Sequence, residues 1–267
     1  MSSFKLTLAY DGTAFVGWQR QATGTSVQGL IEDALRALDG RDVMVTGAGR
    51  TDAGVHALGQ IAACSLARDL DPATLARALN ARLPPEVRVL SAVEVGAAFH
   101  PRFSARSKTY RYRIWNGDVA SPFERRYAWH LVGALDVEAM RRAARLLEGA
   151  HDFAAFQASG SGTQSTERRI LSLRIEDSTN QSSILNPQFS MMRSPLIALE
   201  IEGEGFLRHM VRVIVGSLVE VGRGRRAPEW IGHVLVSRER AMAGPTAPPH
   251  GLFLASVNYT GALADGP

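Results

Sequence analysis

Twice along this chain the spacing of apolar residues runs through the same order of periods, and that repetition narrows the possible folds further than composition does. Phe4, Leu6, Leu8 and Tyr10 alternate with polar or small residues, the period of a half-buried strand, and Asp11-Gly12 ends the run as a turn. After the capping pair Thr25-Ser26, the residues Val27, Leu30, Ile31, Ala34, Leu35 and Leu38 recur at helical spacing. Residues 43–46 and 59–65 read as strands, and Asp71-Pro72 starts a helix facing inward through Leu75, Ala78 and Leu79. Val87, Val89, Val93 and Val95 close this half as a further strand. The order is β-α-β-β-α-β, the split βαβ arrangement of a ferredoxin-like unit.

The second half repeats that order with one extra helix. Residues 106–115 alternate strictly, and Asp136 caps a helix carrying Val137, Met140, Ala144 and Leu147, with Gly149 as its stop. Leu171, Leu173 and Ile175 alternate, as do Ile197, Leu199 and Ile201, and the Ser-, Asn- and Gln-rich residues 177–194 between them read as a long polar loop. Phe206, Met210, Ile214, Leu218 and Val221 form the longest helical stripe, a shorter helix carries Trp230, Ile231, Val234 and Leu235, and residues 252–259 close as a strand. The chain of 267 residues is long enough for two cores. The expectation is an α+β protein of two ferredoxin-like halves, residues 1–103 and 104–267, with antiparallel sheets side by side and an active-site cleft between them.

Between the two central strands of the first half lies Gly47-Ala-Gly-Arg-Thr-Asp-Ala-Gly-Val-His56. Its glycines admit backbone angles closed to other residues and let a large ligand approach the main chain. On an extended segment Arg50 and Asp52, two apart, leave the same face and can pair, which keeps the carboxylate ionised. In the second half, the strand over 106–115 sets Lys108, Tyr110, Tyr112 and Ile114 on one face and Arg111, Arg113 and Trp115 on the other. Arg208 and Arg212, four apart in a helical stripe, share a face and can grip phosphates, and Arg168 with Arg169 opens a basic strand.

Charge and composition exclude several classes. The net charge is only +4, but lysine occurs only at Lys5 and Lys108, so arginine dominates the basic residues. Arginine suits bidentate contacts to phosphate and stacking on bases, although a GC-rich coding bias accounts for most of the skew. Cys64 is the single cysteine, so neither an intrachain disulfide nor a cysteine metal cluster is possible. There is no Gly-Lys-Ser/Thr phosphate loop. A metal-dependent nuclease needs clustered carboxylates or histidines, and the glycine-rich loop supplies only Asp52 and His56. No signal-like apolar run opens the sequence, and the longest apolar helix carries Arg208, Arg212 and Glu220, too many charges for a membrane span. A cytoplasmic protein is expected.

Asp11-Gly-Thr13 with Gly17-Trp-Gln19, Ser26-Val-Gln-Gly29, residues 47–56, Lys108-Thr-Tyr-Arg-Tyr112, His151-Asp-Phe153 and Phe206-Leu-Arg-His-Met-Val-Arg-Val-Ile-Val-Gly216 stand in the order found in one family. Across nearly its whole length the chain resembles the tRNA pseudouridine synthase A family. The resemblance implies isomerisation of uridine to pseudouridine in the anticodon stem-loop of tRNA, at positions 38, 39 and 40. It also implies that there is no cofactor and no metal, and that the protein is a homodimer of two α+β domains. The family's catalytic aspartate matches Asp52, its paired arginine Arg50 and its active-site tyrosine Tyr110. Candidates for substrate binding are Tyr110, Lys108, Arg168, Arg208 and Arg212.

The reaction must break the bond from C1′ to N1, turn the base and join C1′ to C5. A carboxylate can act as nucleophile at C1′ or C6, or as a base on a sugar proton, and each route needs it ionised. A nucleotide held in a stem or loop must be extruded, at a cost of a few kcal/mol, and stacking on an aromatic ring such as Tyr110 returns about 1–3 kcal/mol. The alternative reading is a non-catalytic RNA-binding protein that uses the basic aromatic strand as a stacking platform and does not need Asp52.

Overall fold

The computed structural model describes residues 1–158, 160, 163–177 and 195–260, so nearly all of the polar loop expected at 177–194 lies outside the described residues. The chain forms two compact units, one of Met1–Lys108 together with the C-terminal stretch from Phe253, the other of Thr109–Leu252. Among the described residues no helix is long and apolar enough to cross a membrane.

The first unit comprises β1 (Ser2–Tyr10), α1 (Val27–Asp39), β2 (Thr46–Gly47), β3 (His56–Leu66), α2 (Pro72–Asn80) and β4 (Val87–Val95). β1 runs antiparallel to both β3 and β4, and its Phe4, Leu6 and Leu8 are fully buried. With β2 on the far side of β3 the order is β4-β1-β3-β2, the ferredoxin-like arrangement that the alternating periods led us to expect. Both helices begin where their caps lie in the sequence: Ser26 Oγ accepts from Gly29 N at 3.2 Å and Asp71 Oδ1 from Thr74 N at 3.0 Å. The strand expected over 43–46 is reduced to Thr46–Gly47. Side chains of α1 take the hydrogen bonds a partner strand would make: Gln28 Nε2 donates to Val45 O at 2.8 Å, and Val45 N donates to Glu32 Oε1 at 3.3 Å.

The second unit holds most of β5 (Ser107–Asn116), then β6 (Trp129–Leu131), α3 (Val137–Arg145), β7 (Gly149–Asp152), β8 (Glu167–Asp177), β9 (Leu196–Gly203), α4 (Met210–Gly222) and α5 (Trp230–Ser237). Its strands lie in the order β5-β9-β8-β7, with β6 alongside β5. The irregular pairing of β8 with β9 between Ile170 and Ser172 puts Ile170, rather than Leu171, into the core. α3 packs on α4 and β8.

The two units meet at Lys108/Thr109, a few residues past the boundary of 103/104 read from the sequence, and the chain crosses back once. β10 (Leu252–Asn258) pairs parallel with β3, Phe253 opposite His56 and Leu254 opposite Ala57, so residues from Phe253 complete the first unit. An otherwise antiparallel sheet thereby gains one parallel pair.

α4 starts at Met210 and not at Phe206, because His209 takes the left-handed conformation (φ 64°). Arg208 therefore lies ahead of the helix, and the helical face that was to join Arg208 to Arg212 does not form. Within α4, Gly216 lies under Pro245, whose carbonyl oxygen would be 1.8 Å from an added Cβ, and Gly244 N donates to Ser217 Oγ at 2.9 Å. Gly216→Ala is expected to cost about 1–3 kcal/mol, because the clash is with backbone. Urea unfolding measures it, and an unchanged midpoint would show that the 244–247 segment yields.

Candidate active site

The loop between β2 and β3 bends at Ala48-Gly49 and turns at Ala53-Gly54, and its backbone is fixed on every side. Ala48 N donates to Ile61 O at 2.7 Å, Trp18 N to Thr51 O at 3.1 Å, and Val55 N to Asp52 O at 3.1 Å. Gln60, a fully buried amide in an apolar strand, donates through Nε2 to Gly49 O at 3.0 Å. Thr51 Oγ1 lies 2.8 Å from the hydroxyl of Tyr10, whose burial raises its pKa to about 12 and keeps it a neutral partner.

The loop rests on the turns after β1. A Cβ on Gly12 would stand 2.0 Å from Val55 O, and one on Gly17, at φ 109°, would stand 2.6 Å from Thr51 O. The indole of Trp18 lies against Gly47 in the same way. Asp11 Oδ1 accepts from Thr13 N at 3.0 Å and lies 3.1 Å from His56 Nδ1, which is itself 3.0 Å from Gly12 N. His56 stacks on Phe253 at 4.7 Å between ring centroids. The motifs at 11–13 and 17–19 are thus the bed on which Asp52 is presented, half-buried, at the start of the turn.

Arg50 is placed differently from expectation. It is exposed, and among the described residues it forms no ion pair with Asp52. The pairing assumed an extended segment, whereas bends on both sides of residues 50–52 remove the alternation that would have aligned the two side chains. Lys108 instead comes to the loop from the start of β5, its Cε 3.5 Å from where a Cβ on Gly49 would be. Burial lowers the proton affinity of its amine, and the charge of nearby Arg102 adds to the effect.

The remaining candidates belong to the second unit. Tyr110, only 8% exposed, meets Phe206 edge to face at 5.1 Å. Phe206 in turn touches Gly203, and Gly205 lies against Arg168 Cδ, so Tyr110, Phe206 and Arg168 form one cluster at the end of β9. Arg168 Nη1 donates to Ser165 O at 3.0 Å, and Arg208 is exposed beyond Leu207. Arg212 Nε donates to Ala247 O at 2.7 Å, tying α4 to the 244–247 segment. Tyr112, two residues after Tyr110, is wholly structural, with its hydroxyl donating to Pro248 O at 2.8 Å. The motif at 151–153 is a brace as well: Asp152 accepts from Thr166 Oγ1 at 2.6 Å and Ala154 N at 3.0 Å and pairs with Arg238. The Thr166 bond, above all, holds its carboxyl below the usual range.

The supports of the loop, Tyr10, Thr51 and Gln60, and the approach of Lys108 were missed in the sequence. Gln60 carried a signal, a polar side chain at an inward position of an apolar run; Lys108 carried none, because its contact with Gly49 spans two elements far apart in the chain. Among the described residues no three His, Cys, Asp or Glu side chains gather to hold a metal ion.

The sequence profile described as tRNA pseudouridine synthase matches residues 7–104 and 143–260. The tRNA pseudouridine synthase A of Myxococcus xanthus is 46% identical over 267 residues, covering 100% of this chain and 94% of its own. That of Moorella thermoacetica is 45% identical over 261 residues, covering 97% and 100%, and that of Geobacter sulfurreducens 43% over 259 residues, also covering 97% and 100%. The first matched stretch contains Asp52 and the glycines beneath its loop, the second contains the strand that returns to the loop's flank, and the likeness to these relatives runs nearly end to end: the chain belongs to the tRNA pseudouridine synthase family.

Proposed function

We propose that this protein isomerises uridine to pseudouridine in the anticodon arm of tRNA, with Asp52 as the reacting group, and that it works as a cytoplasmic homodimer. The observation that carries the proposal is a half-buried carboxylate on a loop whose flanking backbone is bonded on every side, so that its position is set before substrate arrives. The dimer, the compartment and the anticodon arm rest on the resemblance to the family. Whether Asp52 attacks C1′ or C6 or removes a sugar proton, an extruded nucleotide must come within reach of it. Tyr110 supplies the ring for that base. Arg168, Arg208 and Arg212 are the residues for phosphates of the RNA, and Arg50 is the partner of Asp52 in the bound state. Lys108 is disposed to take a phosphate, because an anion beside it stabilises the charged form that burial disfavours.

The test is release of tritium from C5 of labelled uridine in tRNA by the purified protein, with mapping of the product. No release from any tRNA would favour the non-catalytic RNA-binding reading. In the same assay Tyr110→Phe is expected to keep most substrate binding, whereas Tyr110→Leu loses stacking of about 1–3 kcal/mol. Equal, slight impairment of both variants would make Tyr110 a packing residue against Phe206.

A further inference from the structure

We infer that Phe103, with Arg102 and His100 beside it, is a stacking platform for an unpaired base of the RNA close to the one that is isomerised; the inference rests on the function proposed above. A lone exposed phenylalanine is ordinary. Phe103 is distinguished by how firmly it is held and by what surrounds it. It is 77% exposed, yet it sits on a turn pinned from within and from below. His100 N donates to Ser104 Oγ at 3.2 Å, Ser104 N donates to His100 O at 2.9 Å, and the amides of Arg102 and Phe103 both donate to His100 Nδ1 at 3.2 Å. Beneath the turn, the Tyr259 hydroxyl donates to Pro101 O at 2.7 Å, the rings of Phe99 and Tyr259 meet at 5.4 Å, and Arg106 N donates to Asn258 O at 2.8 Å. A turn already fixed loses little backbone entropy when a ligand covers the ring it carries.

The ring of His100 lies 4.3 Å from that of Phe103, and the Arg102 guanidinium 5.7 Å from its centroid. An exposed aromatic ring in contact with a cation fits a splayed-out base and its phosphate, and it does so without choosing a sequence. Arg102 lies near enough to Lys108 for the two charges to interact, and Lys108 runs along Gly49 of the Asp52 loop. Phe103, Arg102 and Lys108 therefore form a track, all within the first unit, that leads to the reacting group.

The experiment compares Phe103→Ala, Phe103→Leu and Phe103→Trp with wild type by tritium release and by filter binding of tRNA. Loss of a stacked base is expected to raise KM and Kd by between about fivefold and a hundredfold for Ala and Leu, with kcat at saturating tRNA held within about twofold and Trp restoring both constants. Arg102→Ala is expected to reduce the slope of log Kd against log salt by about one. Unchanged KM and Kd in Phe103→Ala, or an equal loss in Phe103→Trp, would overturn the inference. So would a Phe103→Ala protein that sediments as a smaller species at assay concentration, which would make the ring a contact between copies of the chain. Wild type that releases no tritium defeats the function itself; active wild type with an unaltered Phe103→Ala defeats this inference alone.

Discussion

Asp52→Asn is expected to lower pseudouridine formation more than about a hundredfold while leaving tRNA affinity within a few fold. Asparagine has the shape of aspartate, and the loop backbone is held by its own hydrogen bonds: Val55 N donates to Asp52 O, and Trp18 N to Thr51 O beside it. The loop keeps its form, so what is lost is the charge and nucleophilicity that every route from uridine to pseudouridine needs. Tritium release at saturating tRNA reads the first quantity and a filter-binding titration the second. Turnover above a hundredth of wild type would remove Asp52 from the chemistry, and a parallel collapse of binding would make it a contact to RNA instead.

Gly17→Ala should cost nearly as much activity, through the loop that Gly17 lies against. The methyl would stand 2.6 Å from Thr51 O and 3.1 Å from the carbonyl carbon of Asp52, and the backbone at φ 109° disfavours any side chain. Relief requires the loop to move, and a displacement of about 1 Å at a reacting group costs on the order of a hundredfold in rate. Gly40→Ala is the control: Gly40 also has positive φ (74°), but nothing lies within 4 Å of its would-be Cβ. It should lose about 1–2 kcal/mol of stability through strain alone and keep wild-type turnover. If Gly17→Ala turns over like Gly40→Ala, the glycine is there for its backbone angle and not to bed the Asp52 loop.

What could be read from the sequence were features whose causes are local. Ser26, Asp71 and Asp136 each accept from the backbone amide three residues on, and alternation located β1, β4, β5 and β9 because each buries one face. What could not be read depends on partners distant in sequence. Val43 and Val45 look like a strand, but α1 claims the backbone of Val45. The stripe from Phe206 looks like one helix, but Phe206 leans on Tyr110, and the left-handed backbone of His209 delays the start of α4 to Met210. β6 and β7 are too short for a period to show. For the site, spacing two apart put Arg50 with Asp52, while the fold brings Lys108 to Gly49 of the same loop from another strand, a contact that no local spacing shows.

The parallel strand at the flank of β3 also sets a schedule. Ribosomes deliver the chain from its N-terminus, and an N-terminal domain ordinarily folds as it emerges. Here the residues that carry Asp52 emerge early, but the ring that stacks on His56 is Phe253, and the tyrosine beneath the Phe103 turn is Tyr259. The whole of Thr109–Leu252 must be synthesised before either arrives. The nascent first unit therefore leaves the His56–Ala57 end of β3 without its parallel partner throughout that interval, and the ring that stacks on His56 is among the last parts to arrive.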